Sequence, residues 1–317
     1  MKNLQLFSFS ESEYLGLEVA KALNTKLAML EERIFEDREF KVRPLEAVLG
    51  KDVYVIQSMF SAPYLSPQDK LCRLIFLIGA LKDAGASQVT AITPYLCYAR
   101  KDRRTKEFDP LSLRYIATMM EAVGLDRIVT LEVHNQQAYE NAFRIPTSHL
   151  SAAHLFVSWL EFLSQNQDIA IVSPDVGGVK RVDALRHIVE QKIQKSVGLG
   201  IVEKYRSMGK VSGNMFVGDI QNKVVLIYDD ILSSGTTLLR AARICQEHGA
   251  SEVHLAVTHG IFIGDVWREF EGSGVKTILI TDSVKPLSTL PSSLPVQILP
   301  TAGILAEEII RLHRFAV

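Results

Sequence analysis

Short unbroken runs of apolar residues recur along the chain, spaced so that a helix fits between most neighbours. They are VYVIQ (53–57), VTAIT (89–93), IVTLEV (128–133), IAIVS (169–173), VVLIY (224–228), VHLAVT (253–258) and TILIT (277–281). Apolar residues at every position, rather than at alternate ones, predict strands buried on both faces. The segments between most of these runs carry apolar residues at i, i+3 and i+4, the period of a helix packed on one side. Strand and helix patterns in alternation predict an α/β fold built on mostly parallel sheets flanked by helices.

The pattern also repeats. KDVYVI leads through a helix to DAGASQVTAITPY, and NKVVLI leads through a helix to EHGASEVHLAVTH. Gly85-Ala86-Ser87-Gln88-Val89 matches Gly249-Ala250-Ser251-Glu252-Val253, each glycine ending a helix where a left-handed residue is needed. Two similar domains are therefore expected, 1–148 and 149–317, with the boundary close to Pro146. Aligning the repeats sets Gln57-Ser58-Met59 against Tyr228-Asp229-Asp230, so the acidic pair occurs once and the chemistry is expected mainly in the second domain. The closing helix, 303–315, has Leu305, Ile309 and Leu312 on one face and is expected to dock, packing back on the first domain.

Composition narrows the class. The chain has 317 residues, 47% hydrophobic and 22% charged, the balance of an ordinary globular enzyme rather than a disordered chain. A net charge of −1 gives no overall field for steering toward nucleic acid or an acidic membrane. The run LIFLIGAL (74–81) is too short to span a bilayer and is closed by Arg73 and Lys82. The three cysteines, Cys72, Cys97 and Cys245, lie in apolar segments without a C-x-x-C spacing, which predicts reduced buried thiols. With no signal-peptide pattern in MKNLQLFSFSESE, a cytoplasmic setting is expected.

Candidate chemistry concentrates in YDDILSSGTT (228–237), where two acids are expected at a strand end and a helix near Thr237. A helix start supplies N–H groups and positive potential that suit a phosphate, with hydroxyl donors from Ser233, Ser234, Thr236 and Thr237, and Gly235 permitting close approach. Asp229 and Asp230 suit sugar hydroxyls or a metal ion better than a phosphate. A sugar phosphate satisfies both ends, and plain Ser/Thr capping of the helix explains the same residues equally well. Asp175-Val176-Gly177-Gly178 follows another strand and reads either as a turn or as a concave set of N–H groups beside a carboxylate for Mg²⁺. RKDRR (100–104) is by default a solvated charge run.

VVLIYDDILSSGTTLLRAA resembles the phosphoribosyl-pyrophosphate binding motif of phosphoribosyltransferases and ribose-phosphate pyrophosphokinases. YARKDRR (98–104), RIVTLEVH (127–134), IVSPDVGGVKR (171–181), VTHGIF (257–262) and ILAEEI (304–309) resemble successive motifs of the pyrophosphokinase, in family order over essentially the whole chain. The resemblance implies two phosphoribosyltransferase-like domains that make 5-phosphoribosyl 1-pyrophosphate from ribose 5-phosphate and Mg²⁺-ATP, with release of AMP. It implies ATP contacts at Arg100, Lys101, Asp102 and His134, and at Phe35, Asp37 and Glu39 of FEDREF (35–40), the last three holding adenine across an interface between copies of the chain. It further implies that His134 and Asp175 hold the metal and that Asp175, Gly177 and Gly178 form a pyrophosphate loop. Asp229, Asp230, Ser233, Ser234, Gly235, Thr236 and Thr237 would hold ribose 5-phosphate, and Lys204 and Arg206 of VEKYRSMGK (202–210) would stabilise the transition state.

The sequence departs from the family pattern in places. Ser233 stands where the family has an acid, Thr236 where it has a glycine, Lys101 where glutamine is usual, and Tyr205 where a basic residue is common. Thr301-Ala302-Gly303 lacks a serine of the regulatory anion site, so weak control by phosphate and ADP is expected. Two rival functions remain: a phosphoribosyltransferase that consumes the same compound, and a non-catalytic homologue that regulates a true synthetase. No G-x-G-x-x-G follows a strand and no P-loop occurs.

Overall fold

A computed structural model describes residues 3–207, 210–285 and 290–314, without the side chains of 204–214. The chain divides into two compact units, residues up to Leu150 with those from Pro300 onward, and Ser151–Leu299. The first unit runs β1 (Leu4–Ser8), α1 (Glu13–Ala22), β2 (Leu30–Ile34), β3 (Phe40–Pro44), β4 (Asp52–Ile56), α2 (Pro67–Asp83), β5 (Gln88–Thr93), α3 (Ser112–Ala122), β6 (Arg127–Leu131), α4 (Gln136–Ala142) and β7 (Thr147–Leu150). The second runs α5 (Ala153–Leu163), β8 (Ile169–Ser173), α6 (Val179–Ile193), β9 (Gly198–Ser207), β10 (Lys210–Gly218), β11 (Val224–Leu232), α7 (Thr236–Glu247), β12 (Glu252–Gly260), α8 (Trp267–Phe270), β13 (Val275–Thr281) and β14 (Val296–Leu299). A last helix, α9 (Ala302–Arg314), returns to the first unit.

Each unit contains five parallel strands with the same connectivity, a complete five-stranded sheet in the first and part of a seven-stranded sheet in the second. Their order is β1-β4-β5-β6-β7 in the first unit and β8-β11-β12-β13-β14 in the second. An antiparallel hairpin is inserted after the first strand of each. In the first unit it is the separate pair β2–β3, and in the second β9–β10 extends the sheet edge through β9 beside β8. All seven sequence-predicted strands are present. The hairpin strands and β1, β7 and β14 escaped notice because edge and half-exposed strands lack a continuous apolar run; β3 alternates half-buried and exposed residues along its length.

The repeat is visible at the level of single hydrogen bonds. Gly85 and Gly249 have φ of +83° and +81°. Ser87 N–H donates to the Lys51 carbonyl (2.8 Å) and Ser251 N–H to that of Lys223 (2.9 Å). Asp52 pairs with Gln88 as Val224 pairs with Glu252. This register corrects the sequence alignment by one residue: Lys51 corresponds to Lys223, so Gln57 and Ser58, not Ser58 and Met59, stand opposite Asp229 and Asp230. In a strand that single step exchanges the two faces.

One face of the first sheet, with Val53, Val55, Val89, Ala91 and Ile128, belongs to a core shared with Leu74, Leu77 and Ile78 of α2 and Ile116 of α3. On the other face Tyr54, Ile56, Ile92 and Val129 meet Leu15 and Val19 of α1 and Leu305, Ala306 and Ile309 of α9. The apolar stripe of α9 is buried in the first unit. His313 Nδ1 lies 2.7 Å from Asp52 Oδ2, which also accepts from Tyr54 Oη at 2.9 Å, and all three residues are buried. In the second unit Val225, Ile227, Leu255, Val257 and Ile280 pack with Leu238, Ala241 and Cys245 of α7. No helix among the described residues is long and apolar enough to cross a membrane.

Candidate active site

The carboxyl ends of parallel strands are where open α/β sheets hold ligands, because the chain leaves the sheet there and the helix starts face the same edge. In the second unit that edge is formed by β8, β11 and their following loops. Strand β11 does not stop at Tyr228 as the apolar run suggested. It continues to Leu232, paired with β12 as far as Gly260, while its pairing with β8 ends at Ile227. Asp229 and Asp230 are thus held on a strand bonded on one side only, which fixes their backbone while leaving the side facing β8 for other groups. Asp230 is buried and Asp229 half-buried.

Residues 233–235 turn the chain into α7, which begins at Thr236, one residue earlier than expected. Gly235 is the N-cap and takes a left-handed backbone, φ +68°. A Cβ there would come within 2.9 Å of Val266 Cγ2 and 3.0 Å of Phe270 Cε2, so the position needs glycine for both conformation and space. No side chain caps α7, so Ser233, Ser234, Thr236 and Thr237 are not engaged in capping it. Ser234 and Thr236 are exposed and their hydroxyls lie 3.4 Å apart. The helix start thus has glycine at its N-cap and no side-chain cap bond there.

The second loop at this edge follows β8. Asp175 caps a single 3-10 turn, Val176–Gly178, that runs into α6, and its Oδ1 accepts from Gly178 N–H at 3.1 Å. Gly178 is buried, with ordinary helical torsions, and a Cβ on it would meet Ser173 Oγ at 2.7 Å. The expected concave array of N–H groups is corrected in one respect: the Gly178 N–H is already satisfied by Asp175. The Asp175 carboxylate itself is exposed.

An arginine to which the sequence reading assigned no role links these loops. Arg181 Nη1, in the first turn of α6, lies 3.0 Å from Asp229 Oδ1 and 3.3 Å from Asp230 Oδ1. The signal was present, since Arg181 ends the motif IVSPDVGGVKR, but a partner 48 residues away is settled only by folding. Burial, and then the neighbouring Asp230, raise the Asp229 pKa well above the usual carboxylate range despite Arg181.

The first unit brings together another part of the candidate set. Strand β6 ends at Leu131 rather than Val133; Glu132 takes a left-handed backbone, φ +45°, and His134 lies in the exposed turn before α4. Asn135 caps α4 through Ala138 N–H (3.2 Å) and donates from Nδ2 to Asp102 Oδ2 at 2.7 Å. That bond ties the turn carrying His134 to the loop carrying Arg100 and Lys101, both exposed. Arg104 is instead turned into its own loop, donating to the Asp109 carbonyl at 3.2 Å. Phe35, Asp37 and Glu39 lie elsewhere, at the tip of the β2–β3 hairpin in a separate sheet, where Arg33 stacks 4.9 Å over the Phe35 ring. Asp37 Oδ1 there accepts from Glu39 N–H at 3.0 Å.

Lys204 and Arg206 stand two residues apart on β9, near the tip of the second unit's inserted hairpin. Their side chains lie outside the described residues. The hairpin containing them occupies the same place in the repeat as the one bearing Phe35. Among the described residues no group of three or more His, Cys, Asp or Glu side chains forms a metal cluster.

Two sets of five parallel strands, each with a hairpin inserted after its first strand and one bearing an acidic strand end before a hydroxyl-rich helix start, define a protein of two phosphoribosyltransferase-like domains. Residues 4–124 match the N-terminal domain of ribose phosphate pyrophosphokinase, and residues 139–266 match the phosphoribosyl transferase domain. The chain belongs to the ribose-phosphate pyrophosphokinase family. It is 36% identical to a ribose-phosphate pyrophosphokinase of Cereibacter sphaeroides over 88% of this chain and 80% of the relative. It is 33% identical to that of Caldanaerobacter subterraneus subsp. tengcongensis, over 98% and 95% of the two chains. The crystal structure of phosphoribosylpyrophosphate synthetase from Mycobacterium smegmatis superposes with a TM-score of 0.88, at 29% identity and covering 99% of both chains.

Proposed function

We propose that the protein forms 5-phosphoribosyl 1-pyrophosphate by transferring the β,γ-pyrophosphoryl group of ATP to the C1 hydroxyl of ribose 5-phosphate, releasing AMP. The observation that carries this reading is the edge of the second unit, where two carboxylates at positions 229 and 230 of β11 stand six and five residues ahead of Gly235, the N-cap of α7. The 5-phosphate is assigned to the N–H and hydroxyl groups of residues 233–237, where it meets unpaired donors and the positive end of α7. Asp229 and Asp230 are assigned to the ribose hydroxyls. Serine in place of an acid at 233 leaves the backbone donors intact and removes a charge that would repel the phosphate.

ATP is assigned to the first unit's edge, to Arg100, Lys101, Asp102 and His134. Phe35, Asp37 and Glu39 are assigned to adenine at an interface in a homo-oligomer, a role supported by their place at an exposed hairpin tip. Lys204 and Arg206 are assigned to the charge that grows on the transferred group, which fixed cations stabilise more in the transition state than in the ground state.

Mg²⁺ fits the donor set on one side. Asp175 offers an exposed carboxylate with one oxygen already oriented by Gly178 N–H. A hard cation that keeps several waters and takes other oxygens from phosphates needs few protein ligands. His134 is the second residue assigned to it. The ion would neutralise phosphate charge; Asp175 would hold and orient it at the edge of β8.

The test is incubation of the full chain with ATP, Mg²⁺ and ribose 5-phosphate, followed by detection of AMP. AMP release that requires the sugar is expected. Its absence at every protein concentration would favour the non-catalytic reading, and consumption of phosphoribosyl pyrophosphate with a free base would favour the transferase.

A further inference from the structure

The two loops of the second unit's edge are joined by arginines that cross in opposite directions. Arg181 belongs to the helix that follows the Asp175 loop, and it reaches the acids of the neighbouring strand, 3.0 Å from Asp229 and 3.3 Å from Asp230. Arg240 belongs to the helix that follows those acids, and its Nη2 reaches back to the Pro174 carbonyl at 3.3 Å. The strands that carry the loops, β8 and β11, are adjacent and parallel only as far as Val172 and Ile227. Beyond that point no ladder bonds hold the loops together, and the arginines take over.

We propose that Arg181 and Arg240 form a reciprocal brace that sets the spacing between the Asp175 loop and the Asp229–Asp230 pair, and that both are positioning residues for the sugar-phosphate site. The inference rests on the functional reading of that site. Each link is placed where it must be rigid. The side chain of Arg181 is 12% exposed, and those of Asp229 and Asp230 are 15% and 6% exposed, so these ion pairs are poorly screened by water. Arg240 Nε and Nη1 are buried without a hydrogen-bond partner among the described residues, which leaves Pro174 as a contact the guanidinium has reason to keep. Burial lowers the Arg240 pKa, and the nearby Asp175 charge opposes that shift. Arg181 therefore couples its own loop to the acids of the other, and Arg240 couples its helix back to the Pro174 carbonyl.

A guanidinium suits this task because it is always charged and presents several donors in one plane. Through a single nitrogen Arg181 touches both aspartates, which holds their oxygens together on one side and presents the pair as a unit. Without it the two carboxyl groups would lose their shared counter-ion, and the strand end would relax toward solvent.

The test uses full-length Arg181→Met, Arg181→Lys, Arg240→Met and the Arg181→Met/Arg240→Met double variant. Arg181→Met is expected to raise KM for ribose 5-phosphate about 10–100-fold, by analogy with groups that orient metal ligands, and to raise it more than KM for ATP. Arg181→Lys should recover part of the loss. The double variant should cost less than the two single losses combined, because both act on one pair of loops. Wild-type kinetics in Arg181→Met would overturn the brace, as would strict additivity. So would a fall of kcat and Tm with an equal rise of both KM values that cooling reverses, which marks a structural role alone. Amide exchange supplies a reading independent of activity. Either single variant should loosen residues 175–178 and 229–235 together; loosening confined to the altered loop overturns the brace. A wild-type chain that releases no AMP overturns the functional reading instead, and leaves the exchange result to decide the brace.

Discussion

Gly235 is the most exacting position in the candidate sugar-phosphate loop, and Gly235→Ala can be worked through against an internal control. The backbone there has φ +68°, a conformation that costs an L-residue about 1–2 kcal/mol. The added methyl would also lie 2.9 Å from Val266 Cγ2 and 3.0–3.1 Å from two ring atoms of Phe270, a buried ring that meets Phe262 edge-on. Forcing a methyl into such a packed site costs about 1–3 kcal/mol more. Gly272 supplies the control. Its φ is +74°, but a Cβ on it meets nothing within 4 Å, so Gly272→Ala carries the conformational cost alone. The gain from a stiffer unfolded chain applies to both variants and cancels. With about 2–4 °C lost per kcal/mol, Gly235→Ala is expected to lower Tm by roughly 5–15 °C and Gly272→Ala by roughly 2–6 °C. Circular-dichroism melts of the two variants measure the difference. The same melts with ribose 5-phosphate added report binding, whose stabilising shift should survive in Gly272→Ala and disappear in Gly235→Ala. Equal losses of Tm would refute the packing argument, and a full ligand shift in Gly235→Ala would remove residue 235 from the phosphate site.

Asp175→Asn keeps a good helix-capping side chain but removes the charge. It should melt within about 1–2 °C of wild type, since Asn and Asp cap about equally well, yet lose turnover at Mg²⁺ levels that saturate the parent; normal activity would leave Asp175 as a cap and nothing more. Lys204→Ala should lower kcat about 10²–10³-fold, the range for losing one transition-state donor, and unchanged turnover would make the 202–210 loop merely basic. Lys70, fully buried with its ammonium 3.7 Å over the Phe60 ring, has its pKa pushed down to about 8, mainly by burial. The folded state thus gives up this proton more readily than the unfolded state, so stability is expected to rise as pH climbs from about 8 toward the ordinary lysine value of 10.5. Lys70→Met should lose that slope and gain roughly 1–2 kcal/mol near pH 7, after the lost ring contact is set against the relieved burial; a melt series across pH 6–10 that keeps the slope would refute it.

The continuous apolar runs that announced the sheets lie at the centre of them, where both faces are covered and each position reports its own burial. The inserted hairpins and edge strands were silent because a half-exposed strand lets polar residues in. The acidic pair was visible as a pair, but its place was not. An apolar run stops where burial on both faces stops, whereas β11 continues for four residues after Tyr228 because β12 still bonds it on one side.

The sequence alone determined the class of layers, their doubling, and the residue types gathered at the second unit's edge, because these follow from local periodicity and from motifs whose members are close along the chain. It also carried the family resemblance, which rests on the same short stretches. Tertiary structure alone decided what joins them. The register of the repeat moved by one residue once backbone bonds from Lys51 and Lys223 could be seen. The docking of the last helix was expected, but its particular partners, Tyr54, Ile56 and Val129 on strands far from it in sequence, were settled by the fold. Arg181 found Asp229 and Asp230, and Arg240 found Pro174, across separations of 48 and 66 residues. Such pairings leave no periodic trace, since a charged side chain names its partner only when the fold has brought one within reach.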